Sequence, residues 1–384
     1  MTGIGLLSCL GSLTSSWENL VLGKSGVKVQ QPFQELPPTP LGLIAKERVR
    51  LESLTKNIVA AALKDAQITP PVSDCGVVVG SSRGCQAQWE QILRKVKINS
   101  HLFASDTPWL ESLPQQAAIV AARQLGSQGI VMAPTAACAT GIWAVARGME
   151  LIKTGQCQQV IAGAVEAPVT PLTLAGFAKM GALATTGCYP FDRQRQGLAL
   201  AEGGAIFVLE SKVSAQRRDV PIYGQLLGFG LTSDAYHVSA PHPYSTGAIT
   251  AVKQCLERSA LEATEIDYIH AHGTSTRLND RHEAQLIQHL FPQKVALSST
   301  KGATGHTLGA SGVIGLAFCL LAIKHQQLPP CVGLKDPEFD LNLVREVRSA
   351  KVRNVLCFSF GFGGQNAVLS CSDTKSDSSK TLLN

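Results

Sequence analysis

The stretch that decides the fold is residues 130–153, IVMAPTAACATGIWAVARGMELIK. Its first four residues, Ile130 to Ala133, form a short apolar run typical of a buried strand. From Thr140 to Lys153 the apolar residues recur at the i, i+3, i+4, i+7 spacing of a core-facing helix. The small residues between these two elements therefore predict a strand-to-helix turn, with Cys138 inside it.

Similar apolar runs along the chain alternate with helical patterns. They predict further buried strands at residues 76–80, 159–165, 205–209, 267–271, 295–298 and 354–358. A long apolar helix is predicted from Val313 to His325. This alternation predicts an α/β protein whose layers surround a mostly parallel sheet.

A polar segment at residues 212–221 interrupts the apolar pattern and predicts a division of the chain. We expect an N-terminal half at residues 1–215, a C-terminal half at 216–371 and a polar, disordered tail at 372–384. Both halves contain strand–loop–helix units, which is compatible with a duplication. No sequence repeat is readable between them.

Composition excludes several classes of protein. The chain has 384 residues, 45% of them hydrophobic and 16% charged, which excludes intrinsic disorder. A net charge of +6, dispersed along the chain, is too small for a nucleic-acid-binding protein but compatible with an acidic protein partner. No apolar window approaches the ~20 residues of a membrane span, and no basic region precedes the first apolar run, so neither a span nor a secretory signal is expected.

The cysteines indicate a reducing compartment. There are 11, an odd number, and no CxxC pair occurs among them, which disfavours a zinc ribbon and a redox dithiol. Most lie in apolar surroundings, so we expect buried free thiols and a cytoplasmic protein.

Cys138 is the first candidate for chemistry. It lies in Pro134-Thr-Ala-Ala-Cys138-Ala-Thr-Gly141, where only small residues surround the sulfur. At a helix N-terminus, free N–H groups stabilise the nucleophilic thiolate and could also bind an oxyanion. A buried structural thiol in a tight turn is the alternative.

The histidine pair His270 and His272 is the second candidate. His272 lies where an apolar strand ends in a hydroxyl-rich loop, the edge at which α/β sheets place ligand-facing residues. A His-x-His metal pair is disfavoured because no further ligand follows at a convincing spacing. Asp280 and Glu283 have capping-box spacing, which predicts that Asp280 caps a helix running to about Leu290.

Two further loops complete the candidates. Lys301 and His306 lie among small residues before the long apolar helix, where Lys301 could hydrogen-bond His306 and set its protonation state. The spacing does not match a phosphate-binding P-loop, since the lysine comes first. Phe360-Gly-Phe362-Gly-Gly364 predicts an unusual turn, in which the Phe362 N–H could complete an oxyanion hole or the phenylalanines could simply pack in the core. One cysteine and two histidines in strand-end loops are the parts for thiol-mediated acyl transfer.

These motifs together resemble the β-ketoacyl-[acyl carrier protein] synthases of the Cys-His-His type, the elongating condensing enzymes. The resemblance covers nearly the whole chain and rests on AACATG at 136–141, PFDR at 190–193, SDAYH at 233–237, HGTST at 272–276, STK at 299–301, GH at 305–306 and FGFGG at 360–364. It implies a thiolase-like five-layered αβαβα sandwich of two similar halves. It also implies a homodimer, an acyl carrier protein as partner, and no cofactor beyond the phosphopantetheine that carries the substrates.

The resemblance also implies roles for individual residues. Cys138 matches the nucleophile that takes the acyl chain, and His272 with His306 matches the pair that supports malonyl decarboxylation. Lys301 matches the lysine near the second histidine. The remaining matches are Thr274, Thr276 and Phe360 for substrate binding, Phe362 for the gate and, with Cys138, the oxyanion hole, and Lys46, Arg48 and Arg50 for carrier-protein binding. For these three basic residues a solvated helix face is an equal alternative.

The chain departs from this pattern at three places. The family commonly begins with a full strand before Thr2-Gly-Ile-Gly, whereas Met1 directly precedes it here, so that strand is expected to be missing or the start misassigned. The helix after His306 usually carries a glutamate where this chain has Gly315. Residues 84–114, which correspond to much of the acyl pocket and the dimer contact, are divergent, so chain-length preference does not carry over.

Two alternatives to a decarboxylating condensing enzyme stay open. A coenzyme A-dependent, thiolase-like acyltransferase typically uses a Cys-His-Asn or Cys-His-Cys set, and His306 after Lys301 counts against it. A catalytically degenerate partner subunit of a ketosynthase heterodimer typically lacks the cysteine, so Cys138 counts against that reading.

Overall fold

The computed structural model describes residues 1–46, 48–98, 109–291 and 294–374. The divergent segment 84–114 therefore lies partly outside the described residues. The strands are β1 (Gly3–Ser8), β2 (Gly11–Ser12), β3 (Lys28–Gln30), β4 (Thr39–Gly42), β5 (Gly76–Gly80), β6 (Val131–Met132), β7 (Gln159–Glu166), β8 (Leu200–Ala201), β9 (Gly203–Glu210), β10 (Gln225–Ser233), β11 (Tyr268–His270), β12 (Ala296–Ser298), β13 (Gln327–Leu328), β14 (Arg348–Ser349), β15 (Asn354–Gly361) and β16 (Gln365–Ser372).

The helices separate these strands in the alternation that the sequence predicts. They are α1 (Leu13–Val21), α2 (Leu51–Asp65), α3 (Gln86–Ile98), α4 (Gln116–Leu125), α5 (Thr140–Lys153), α6 (Pro171–Lys179), α7 (Lys212–Arg218), α8 (Thr246–Ser259), α9 (Arg277–Leu290), α10 (Lys301–Thr304) and α11 (Ser311–His325). The predicted helix at Thr140–Lys153 is confirmed at both ends, and all the predicted strands form, several of them shorter than predicted.

The fold is built on two large sheets, and each contains both parallel and antiparallel strand pairs. The first has the order β2-β1-β9-β7-β5-β6 and the second the order β10-β16-β15-β11-β12. In the first sheet β9 is antiparallel to β1 and β7, whereas β5 is parallel to β7 and β6. The expectation of mostly parallel sheets is wrong, because a strand between two helical layers is apolar on both faces whichever way it runs.

Helices and sheets stack in five layers. Helices α2 and α4 cover the outer face of the first sheet, and α8 covers the outer face of the second. Helices α5 and α11 lie between the two sheets and pack against each other. This is the αβαβα sandwich that the resemblance implies.

The central helices approach closely because small residues face their contact. A Cβ on Gly141 would lie 2.8 Å from Val313 Cγ1, and one on Gly312 would lie 2.7 Å from Ile142 Cγ1. Helix α11 is buried on every side, which explains why its sequence is apolar throughout. By length and composition, the helical stretch Leu308–His325 passes the test for a membrane span, contrary to our expectation, but 89% of it is buried inside the protein.

The first strand forms at Thr2-Gly-Ile-Gly itself: β1 begins at Gly3, so the expectation about a strand before this motif stays a prediction. Strand β1 pairs with β9 from Gly3 to Leu7, and the Thr2 N–H donates to the Val208 carbonyl at 3.1 Å. Helix α2 packs directly on it, since a Cβ on Gly5 would lie 2.0 Å from the Ile58 carbonyl oxygen.

At the other end of the chain, Ser372 still belongs to β16, so the predicted tail begins later than residue 372. The rest of that tail, residues 375–384, lies outside the described residues. Helix α7 spans the predicted 215/216 division, which stays a prediction.

Candidate active site

Cys138 lies in a strained turn between β6 and α5. The preceding residue, Ala137, has a φ of +46°, a left-handed conformation that side chains other than glycine rarely adopt. Thr140 at the start of α5 holds this turn: its hydroxyl accepts from Ala136 N at 2.9 Å and donates to the Ala137 carbonyl at 2.7 Å. From the second sheet, the Ser359 hydroxyl donates to the Cys138 carbonyl at 2.9 Å. The cysteine is thus fixed from both halves of the molecule.

The Cys138 thiol is protonated at neutral pH. Burial raises its pKa to about 11, although the Lys301 charge and a backbone hydrogen bond from Phe362 act in the opposite direction. The expected stabilisation of the thiolate at the helix N-terminus is therefore outweighed by loss of solvent. A proton has to leave the sulfur during any reaction in which Cys138 is the nucleophile.

His272 follows β11 and is anchored through its backbone. The N–H groups of His272 and Gly273 donate to the two carboxylate oxygens of Glu283, at 2.6 and 2.7 Å. Glu283 lies on α9, and burial raises the pKa of its carboxyl to about 7. The capping-box spacing predicted no contact between Glu283 and the His272 loop. The position of Glu283 three residues after Asp280, on one face of α9, is the signal that both acids turn back toward neighbouring loops.

Asp280 is not a helix cap. Helix α9 begins at Arg277, and its cap is the Thr276 side chain, which accepts from Asn279 N at 3.3 Å. Asp280 lies inside the helix, fully buried, and accepts from Phe191 N at 2.8 Å and Ser275 N at 3.1 Å. The prediction was wrong because capping-box spacing is also compatible with two acids that reach neighbouring loops.

Lys301 contacts His272 and not His306, contrary to the prediction. Its ammonium donates to the His272 carbonyl and lies 3.5 Å from His272 Nδ1. Burial lowers the pKa of Lys301, while the nearby Glu283 carboxylate raises it. An ammonium facing Nδ1 favours the tautomer in which the proton of His272 is on Nε2.

His306 is held by the turn that leads into α11 and by the first residue of that helix. Its Nδ1 lies 2.7 Å from the Ser311 hydroxyl and accepts the backbone N–H of Leu308 at 3.2 Å. Leu308 has a φ of +47°, so the chain is strained where it turns that N–H toward the ring. Because Nδ1 accepts a hydrogen bond, the proton of a neutral His306 is on Nε2.

The three side chains converge. One ligand-type atom each of Cys138, His272 and His306 lies within 4.8 Å of the others, and the imidazole centroids are 5.4 Å apart at an angle of 81°. Burial, followed by the Lys301 charge, lowers the pKa of both histidines well below the ordinary 6.5, so both are neutral at pH 7. One thiol and two imidazoles are also a residue set that can hold a metal ion. The reaction proposed for this site uses the thiol and the two imidazoles without a metal ion.

A cavity of about 350 Å³ leads to these residues and is lined by them. The other predicted site residues border the same cavity: Thr274, Thr276, Phe360 and Phe362. The Phe360 ring lies 6.1 Å from that of His272, and the Phe362 ring stacks on Phe177 with centroids 6.0 Å apart. The hydroxyls of Thr274 and Thr276 are hydrogen-bonded at 2.9 Å.

Comparison with known proteins agrees with this geometry. The family model described as Beta-ketoacyl synthase, N-terminal domain matches residues 45–215, and that of the C-terminal domain matches residues 223–335. The chain belongs to the β-ketoacyl synthase family. A 3-oxoacyl-[acyl-carrier-protein] synthase 2 of Staphylococcus aureus is 33% identical over 96% of this chain and 99% of that protein.

Solved structures of other ketosynthases are similar throughout. A chain of the complex between a type II polyketide synthase acyl-carrier protein and its ketosynthase bound to the hexaketide has a TM-score of 0.89 and 26% identity, and covers 97% of this chain and 98% of that one. The ishigamide ketosynthase/chain length factor has a TM-score of 0.89 and 29% identity at the same coverage. The β-ketoacyl synthase fold of this chain is therefore shared with its thiolase-like relatives.

The three basic residues that are predicted to bind the carrier protein lie in an exposed, irregular segment. Lys46, Arg48 and Arg50 are exposed and precede α2, with Arg50 at its N-cap, so the alternative of a solvated helix face is wrong. The Arg48 guanidinium lies 5.0 Å from the ring centroid of Phe33, which belongs to the apolar cluster around Cys138. Arg48 thus packs on a residue of the cluster that contains Cys138.

Proposed function

We propose that this β-ketoacyl synthase condenses an acyl group held on Cys138 with malonyl-[acyl carrier protein], with loss of CO₂, to give 3-oxoacyl-[acyl carrier protein]. The observation that carries the proposal is the convergence of a protonated thiol with two neutral imidazoles in one cavity. The family membership and the named relatives support it. The reaction belongs to chain elongation in fatty-acid or polyketide-like synthesis.

The first step exchanges one thioester for another. The sulfur of Cys138 attacks the acyl thioester, and the carbonyl oxygen takes up negative charge. The N–H groups of Cys138 and Phe362 are the proposed donors to this oxyanion; the Phe362 N–H already bonds the sulfur. The C–S bond to phosphopantetheine then breaks, and the proton from Cys138 leaves with the departing thiol, so the exchange is balanced.

The second step makes the carbon nucleophile. Malonyl thioester loses its carboxylate as CO₂, and the electron pair of the broken C–C bond passes into an enolate. The enolate oxygen takes hydrogen bonds from the Nε2–H groups of His272 and His306, which stay neutral because they are buried. The enolate carbon then attacks the acyl-Cys138 carbonyl, the C–S bond breaks, and the sulfur leaves as a thiolate that takes one proton from solvent water.

The remaining site residues position the substrates. Lys301 supports His272, and the Thr274 and Thr276 hydroxyls are placed to contact the malonyl group and pantetheine arm along the cavity wall. Phe360 and Phe362 also line the cavity, and we propose Phe362 as the gate. Loss of CO₂ drives the bond formation, so we propose no cofactor beyond the phosphopantetheine of the carrier.

The partner is an acyl carrier protein. One structural neighbour is described as an acyl-carrier protein in complex with its ketosynthase. An acidic carrier fits the exposed cations Lys46, Arg48 and Arg50 beside the site. We further propose that the protein is a cytoplasmic homodimer and that its two halves divide near residue 215. Light scattering of the purified protein would test the dimer. A heterodimer with a paralogue is the competing outcome.

The test is incubation with acyl- and malonyl-carrier proteins of several acyl chain lengths, with mass spectrometry of protein and products. We expect an acyl adduct on Cys138 and a 3-oxoacyl product two carbons longer. A degenerate partner subunit would form neither. A coenzyme A-dependent acyltransferase would take coenzyme A esters and release no CO₂. Acylation elsewhere with Cys138 unmodified would remove the mechanism.

A further inference from the structure

His270 is a buried histidine that the proposed mechanism does not use. It ends β11, two residues before His272, and is 2% exposed. Its Nε2 lies 3.0 Å from the Thr300 hydroxyl, its Nδ1 has no nitrogen or oxygen partner among the described residues, and the ring also interacts with the Cys357 thiol of the neighbouring β15. The ring does not border the cavity. A buried polar ring with one nitrogen that lacks a nitrogen or oxygen partner is costly, so its presence calls for a reason.

The space that holds the ring exists because residue 315 is glycine. A Cβ on Gly315 would lie 2.5 Å from His270 Cε1 and 2.6 Å from its Nδ1, closer than such atoms approach each other. A side chain at position 315 and the imidazole of His270 would therefore compete for one place, and this chain has the imidazole.

The hydrogen-bond partner of His270 leads directly to the site. The Thr300 carbonyl accepts from Ala303 N at 2.9 Å and from Thr304 N at 3.0 Å, which starts the turn α10. Lys301 is the next residue, and its ammonium contacts the carbonyl and Nδ1 of His272. A tie from His270 to Thr300 thus fixes the backbone from which Lys301 reaches His272.

We infer that His270 is a positioning residue that holds Lys301 against His272 through Thr300, in the space that Gly315 leaves open. The inference rests on the proposed function only where it concerns decarboxylation. Lys301 also bears on Cys138, because its charge favours the thiolate. The reactivity of Cys138 therefore reports on Lys301 without any substrate.

The first experiment compares His270→Ala and Thr300→Val with the parent protein. We expect kcat of malonyl decarboxylation to fall about tenfold or more with little change in KM, because a misplaced supporting group costs rate. The rate of Cys138 alkylation by iodoacetamide should fall several-fold at pH 8 and its pH profile should move upward. The control is Ile269→Val, which removes one buried methyl group from the same strand and should change neither quantity.

The second experiment tests the shared space. Gly315→Ala alone should lower the melting temperature, since its Cβ meets the ring, whereas in the His270→Ala background it should be tolerated. Where His270→Ala fails to fold, Thr300→Val still tests the tie.

Two results would overturn the inference. One is a folded His270→Ala or Thr300→Val protein whose decarboxylation and alkylation both stay within twofold of the parent. The other is a Gly315→Ala effect on melting temperature that is the same with and without His270. If the parent releases no CO₂, the proposed function fails, but the alkylation profiles still decide whether His270 positions Lys301.

Discussion

The two halves of the molecule share one sheet design. In chain order, β1, β5, β6, β7 and β9 of the first half correspond to β10, β11, β12, β15 and β16 of the second. The spatial order is the same in both sheets, and so are the two antiparallel and two parallel pairings. This common topology supports a duplication that no sequence repeat reveals.

The turns that lead into the central helices are also equivalent. Ala137 and Leu308 each lie three residues before their helix, and their φ values are +46° and +47°. Cys138-Ala-Thr-Gly follows the first, and Gly309-Ala-Ser-Gly follows the second. When the starts of the two helices are aligned, these four-residue segments match as a short repeat. The repeat is too short to be recognised from the sequence alone.

The equivalent turns hold different chemical groups in the two halves. The Thr140 hydroxyl bonds the backbone of its own turn, whereas the equivalent Ser311 hydroxyl bonds the His306 ring. Cys138 supplies a sulfur where Gly309 supplies nothing, and a Cβ on Gly309 would lie 2.5 Å from Glu166 Oε1. The comparison teaches that equivalent turns hold a thiol directly after the strained residue in one half and an imidazole two residues before it in the other.

Cys138→Ala is expected to have the largest effect on activity, because it removes the proposed nucleophile of the first half. We expect complete loss of the acyl-enzyme while malonyl decarboxylation stays measurable, since both imidazoles remain. Mass spectrometry after incubation with acyl-carrier protein and measurement of CO₂ release check the two parts. An adduct that persists in this variant would contradict the assignment.

His306→Ala removes the equivalent group of the second half. One of two enolate donors is lost, so we expect decarboxylation to fall by about 10²–10³ while self-acylation continues. The assay is CO₂ release, with His289→Ala, an exposed histidine on α9, as control. Release at the parent rate would show that the imidazole does not stabilise the enolate.

Gly309→Ala tests why the second half carries no side chain at the Cys138 position. The added Cβ meets Glu166 Oε1, which Ser82 N holds in place, so we expect a loss of about 1–3 kcal/mol in the free energy of unfolding. Gly176→Ala is the matched control: no atom lies within 4 Å of its Cβ position on α6. Equal denaturation midpoints for the two variants would refute the steric difference.

The smallest expected effect concerns pH. Burial lowers the pKa of both site histidines, so each takes its proton at a lower pH than a free histidine. Decarboxylation by Cys138→Ala should therefore change by less than about twofold between pH 8 and 6.5 and decline only below that range. A transition centred near pH 6.5 would mean that the imidazoles are not desolvated as described.

Much of this was predictable from the chain. Local patterns predicted α5 at both its ends, the strand–helix alternation, and buried free thiols, and all eleven cysteines are free, with Cys9 only partly buried. The small and hydroxyl-bearing residues around Cys138, His272 and His306 in the sequence indicated which side chains meet in the cavity. These features are encoded over a few neighbouring residues, because hydrophobic periodicity and small-residue turns act locally.

The sequence by itself determined which segments form strands and helices and which side chains are the candidates for the chemistry. Only the tertiary structure decided the directions of the strands, the partner of Lys301, the inward roles of Asp280 and Glu283, and the raised pKa of Cys138. Each of these depends on groups far apart in the chain that share a buried, low-dielectric space. Burial away from solvent and contacts between distant residues leave no pattern in the neighbouring sequence that would predict them.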